Sequence, residues 1–157
     1  TYGAEVEIGE MPEPDLAAVD AIDLESDVQK GLEASYELKI LEKKAANAQS
    51  SSSKESLQED LKSARETAAS NIQAAYRNLV LAKSDYEQAE QAYAIEQNTM
   101  DTAQRRLQAG TITRNDYASQ QSSCTAAQVS AQTKKLAFLE AQLEYGWAVK
   151  GLASTSA

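Results

Sequence analysis

Between Leu57 and Leu107 apolar or small residues, with Glu96 the one charged exception, recur at alternating steps of four and three: Leu57, Leu61, Ala64, Ala68, Ile72, Ala75, Leu79, Ala82, Tyr86, Ala89, Tyr93, Glu96, Met100, Ala103 and Leu107. Only the two consecutive fours from Ala64 to Ile72 depart from the heptad, and they read as a stutter. No glycine or proline interrupts the stretch. The spacing predicts one helix over 54–108, a rod of roughly 75–80 Å at 1.5 Å per residue. A compact domain of 157 residues has no use for such a rod.

Composition points the same way. Hydrophobic residues make up 42% and aromatics 6%, with 6 glycines and 2 prolines, a bias toward long helices packed through narrow seams instead of a thick core. The fold expected is all-α: a long antiparallel coiled-coil helical hairpin or bundle, with a short extended N-terminal segment.

Residues 1–14 form that segment. Glu5-Val6-Glu7-Ile8 alternates polar and apolar side chains, and Pro12 and Pro14 stop a strand or helix from continuing. Pro14-Asp15 suits a first helical turn. A helical coiled-coil domain follows over 15–157. Its first part, 15–49, reads as a short helix to about Glu25, then one helix capped by Ser26-Asp27 with Val28, Leu32, Leu38, Leu41, Ala45 and Ala48 on one face. The run Ser50–Ser53 reads as a connection, since serine bonds its own backbone in competition with helix.

After the rod, Arg105 and Arg106 complement the helix dipole and Gly110 suits the residue past a helix end. Thr113 with Asp116 reads as a capping box opening the last helix, 113–152. That helix carries two apolar rows: Tyr117, Cys124, Ala131, Phe138, Tyr145 and Val149, and beside it Val129, Leu136, Leu139 and Leu143. Two rows imply two neighbours, as in a bundle or a wall of helices.

The formal charge of −9 disfavours nucleic acid and anionic lipid as partners, and leaves proteins. No apolar window is long enough to span a bilayer as a helix. The chain starts at Thr1 with neither an initiator methionine nor a basic, apolar leader, so a processed or cut N-terminus is expected. With no histidine there is no His-based triad or His metal site. Cys124 reads as a small seam residue, and Glu55, Glu59, Asp60, Glu87 and Glu90 as a solvated helix face. The glycines fit no nucleotide-binding spacing. Neither catalysis nor a cofactor is expected.

The stretch Ala109-Gly110-Thr111-Ile112-Thr113-Arg114-Asn115-Asp116-Tyr117, followed by a helix closing in Trp147-Ala148-Val149-Lys150-Gly151-Leu152, resembles the second helical hairpin of TolC-like outer-membrane efflux proteins. Asp20–Ser26 resembles the opening helix of that family's repeat, and Glu5–Pro14 its inter-repeat strand and proline linker. The resemblance covers nearly the whole chain but one of two repeats. Where the family inserts barrel strands between its long helices, this chain has only Ser50–Lys54. Either it is a relative without a barrel, or a short linker stands in place of the strands.

The resemblance implies a non-enzymatic conduit component of a tripartite efflux or type I secretion system, in the periplasm or cell envelope. It implies homo-oligomers and a periplasmic adaptor docked at the tip residues Ala109, Gly110, Thr111, Arg114 and Asp116. The other expectation is a free-standing coiled-coil scaffold that binds a partner helix.

Overall fold

The computed structural model describes residues 12–152, which hold five helices and no strand: α1 (Leu16–Asp20), α2 (Leu24–Ala34), α3 (Tyr36–Ala46), α4 (Ser51–Gln108) and α5 (Arg114–Val149). The chain is all-α, as expected. The N-terminal strand expected over Glu5–Ile8 lies outside the described residues; Pro12–Pro14 are neither helix nor strand.

α4 runs unbroken for 58 residues, about 87 Å, and α5 returns beside it. Their seam holds Ile72, Leu79 and Tyr86 of α4 against Phe138, Ala141, Tyr145 and Ala148 of α5. Tyr86 stacks on Phe138 with ring centroids 6.2 Å apart, and Tyr76 tilts against Tyr145 at 6.0 Å. α1 and α2 cover this half of the hairpin through Val19, Leu16, Leu24 and Val28. Gly31 of α2 is buried, and a β-carbon there would collide with Ile72, so glycine sets how closely α2 approaches α4. Beyond Tyr86 and Ala131, toward the turn, the buried side chains dwindle to Ala103.

The stretch 15–49 departs from expectation. Asp15 caps α1 and Asp23, not Ser26 or Asp27, caps α2: their carboxylates accept from Ala18 N at 3.0 Å and Ser26 N at 3.2 Å. The single helix expected from Asp27 to Gln49 is broken at Ser35, whose hydroxyl accepts from Leu38 N and opens α3. Gly151, at the end of α5, presses on this joint; a β-carbon on it would lie 2.7 Å from Ser35 N and 2.8 Å from Ala34 C. The apolar face still turns inward, with Leu38 and Ala45 buried and Val28, Leu32, Leu41 and Ala48 half-buried.

The serine run is also placed differently. The connection is Asn47–Gln49, Ser50 is the N-cap, and Ser51–Ser53 form the first turn of α4. The Ser50 hydroxyl accepts from Ser53 N at 3.2 Å, so the preference of serine for backbone amides begins the helix instead of delaying it.

Ion pairs join the layers at the surface: Lys83–Asp20 at 2.6 Å, Lys134–Asp85 at 2.6 Å, Arg65–Glu42 at 2.6 Å and Lys135–Glu13 at 3.7 Å. Pairs of this kind, each with at least one end in solvent, contribute about 0–1 kcal/mol apiece, so they fix register more than they stabilise.

Candidate functional site

The hairpin tip is built by two end motifs placed back to back. α4 closes on Gly110, at φ 69°, whose N–H donates to Leu107 O at 3.0 Å, while Thr111 N–H donates to Arg106 O at 2.9 Å. This is a Schellman closure, which needs the left-handed backbone that glycine enters without steric penalty. The Thr111 hydroxyl adds a second bond to Arg106 O at 3.0 Å.

Three residues later α5 opens with a reciprocal box. Asp116 N–H donates to Thr113 Oγ1 at 3.1 Å, and Asp116 Oδ2 accepts from Thr113 N at 2.9 Å and from Thr113 Oγ1 at 2.8 Å. The Thr113 backbone N–H, and then its hydroxyl, hold the Asp116 carboxyl below the usual carboxylate range.

All five residues singled out from the sequence, Ala109, Gly110, Thr111, Arg114 and Asp116, are exposed at this one end. Their chemistry differs. Ala109 caps α4, donating to Arg105 O, and Gly110, Thr111 and Asp116 hold the turn together. The Arg114 side chain makes no hydrogen bond or ion pair among the described residues and is exposed to solvent. It shares the tip with exposed Arg105 and Arg106. Between residues 102 and 120 there are three arginines against one aspartate, in a chain of net charge −9. The basic tip was legible in the charge distribution, but the sequence reading assigned Arg105 and Arg106 to the helix dipole alone.

Elsewhere the chemistry is sparse. Cys124 is half-buried on α5 near Gln120, whose side chain donates to Glu96 at 2.6 Å across the seam. Among the described residues no group of histidine, cysteine or carboxylate side chains could hold a metal ion, and no helix is long and apolar enough to cross a membrane. At the end opposite the tip, an open groove of about 500 Å³ between α3 and α4 is lined by Ser35, Glu37, Asp60, Ser63, Thr67 and Asn71. Its hydroxyls and carboxylates include no base paired with a nucleophile.

Comparison with protein-family models, with curated proteins and with solved structures finds no match for this chain.

Proposed function

We propose that this chain is a wall element of a TolC-like α-helical conduit, serving efflux or type I secretion outside the cytoplasm and docking an adaptor protein at the hairpin tip. The observation that carries the reading is the bare two-helix stalk. From Tyr86 to Gln108, about 33 Å of α4 has α5 as its one helical partner among the described residues, and the stalk ends in a turn whose backbone groups bond to one another. A tip that satisfies its own hydrogen bonds has Arg105, Arg106 and Arg114 left for a partner. The partner suited to them is a helical hairpin with an acidic end. No catalytic step enters this function, which rests on passage and docking.

The test is adaptor binding. Arg114→Glu is expected to keep the wild-type melting temperature and to weaken capture of a purified periplasmic adaptor protein, together with efflux complementation. Undiminished binding and complementation by an Arg105/Arg106/Arg114→Glu triple variant would remove the tip from the function. Binding of helical partners along the stalk instead would favour a free-standing coiled-coil scaffold.

A further inference from the structure

The open groove of about 500 Å³ between α3 and α4 holds polar side chains that the fold leaves unused. A threonine inside a helix can bond its hydroxyl to the carbonyl one turn back. Thr99, Thr102, Thr125 and Thr133 do so at 2.9–3.0 Å. Thr67, which lines the groove, is the one other helical threonine among the described residues, and its hydroxyl bonds to none of them. The Asn71 side chain, also lining the groove, bonds to none of them either. Ser35, 9% exposed, takes one N–H, from Leu38 at 3.4 Å, and its oxygen has a second lone pair to offer.

Two carboxylates line the same groove from its two helices. Glu37 stands on α3 and Asp60 on α4, both exposed, and neither pairs with a cation among the described residues. Arg65, the base that spans α3 and α4, is taken by Glu42 at 2.6 Å. Gly31 lies against Ile72 and Glu42 reaches Arg65, so Glu37 sits between the levels of Arg65 and Ile72 on α4. Asp60 is five to twelve residues away along that helix, about 8–18 Å of its axis. The oxygen ligands of a metal ion lie within about 2.6 Å of it, so no single ion bridges this pair. A flexible chain with a positive charge at each end does.

We propose that the groove binds a linear polyamine, with one terminal ammonium at Glu37 and the other at Asp60. Ala64, Ala68 and Leu41 supply apolar surface for the alkyl stem, and the oxygens of Thr67, Asn71 and Ser35 accept from the N–H groups along it. The formal charge of −9 adds a general attraction for such a ligand. The site lies at the end of the molecule opposite the tip, so it neither needs nor disturbs docking there.

The test is calorimetric titration with spermidine, beside butylamine and magnesium chloride at matched ionic strength. One saturable spermidine site is expected, tighter than either control, with amide NMR shifts on its addition centred on Ser35, Thr67 and Asn71. Glu37→Gln and Asp60→Asn should each weaken spermidine about two- to fivefold, and Thr67→Val should weaken it while keeping the shape of the side chain. Glu90→Gln removes the same charge from the far reach of α4 and should leave the affinity unchanged. Spermidine held no more tightly than butylamine or magnesium, or weakened as much by Glu90→Gln as by Asp60→Asn, would overturn the proposal in favour of non-specific attraction to an acidic chain. Absence of spermidine binding, or shifts centred away from the groove, would overturn it outright.

Discussion

The Tyr145 hydroxyl donates a 2.8 Å hydrogen bond to Asp27 Oδ2, joining α5 to α2 across 118 residues of sequence. Lys30, by hydrogen bond, and then the Tyr145 hydroxyl hold Asp27 below the usual carboxylate range. Burial first, and then Asp27, hold the Tyr145 phenol above its usual range. The two shifts act at opposite ends of the pH scale. The depressed Asp27 contributes stability above its unfolded value near 4, and this is lost as pH falls. The raised Tyr145 contributes stability below about pH 10, and this is lost as pH rises further. Tyr145→Phe should lower stability by about 1 kcal/mol at neutral pH and flatten the alkaline limb. Melting temperature measured against pH for both proteins checks this; identical alkaline limbs would assign that limb to other tyrosines.

Leu79 and Leu81 are two residues apart on α4 and should respond very unequally to truncation. Leu79 is 1% exposed in the centre of the seam, so Leu79→Ala should cost about 3 kcal/mol. Leu81→Ala removes an outward side chain and should change monomer stability by less than about 0.5 kcal/mol. Urea unfolding at low protein concentration separates them, and equal losses would contradict the orientation of α4.

Gly110 and Gly151 share a left-handed backbone, at φ 69° and 70°, yet differ in surroundings. Nothing lies within 4 Å of a β-carbon on Gly110, so Gly110→Ala should cost only the backbone strain, about 1 kcal/mol. On Gly151 the same β-carbon meets the backbone at Ser35, and Gly151→Ala should cost about 3 kcal/mol. The second variant should also speed proteolysis within α2 and α3, the first cleavage at the tip. A common melting temperature for the pair would show that the α2–α3 joint yields freely.

At the tip, stability and binding should separate by residue. Asp116→Ala breaks the capping box and should cost about 1 kcal/mol, whereas Arg114→Ala should leave the melting temperature unchanged. Replacing both together, as a probe of docking, therefore confounds the two effects. Arg114→Ala paired with Asp116→Asn, which keeps an acceptor for the Thr113 amide, is the cleaner comparison.

What could be read from sequence follows the range of the interactions. The heptad of α4, the glycine that ends it and the Thr113–Asp116 box are each complete within a few residues. The break at Ser35 is not: Tyr36–Ala46 is good helical sequence, and the joint is matched by Gly151 at the far end of the chain. The Tyr145–Asp27 bond is hidden for the same reason. The serine run misled because one property, bonding to nearby amides, serves a loop and an N-cap alike. Of the tip, the turn chemistry was legible and Arg114 was singled out, but only folding separates the residues that hold the turn from the arginine whose side chain bonds to none of the described residues.

The thinning of the seam beyond Tyr86 sets how the molecule yields. With Ala103 the one buried side chain on the outer stretch of α4, separating the helices there exposes little apolar surface. Amide exchange should accordingly quicken in steps from Phe138 toward Thr111. Force applied at the tip would meet a compliant arm that can change its pitch at low cost, whereas around Phe138 and Ile72 it would meet the packed part of the seam, where separation exposes far more apolar surface.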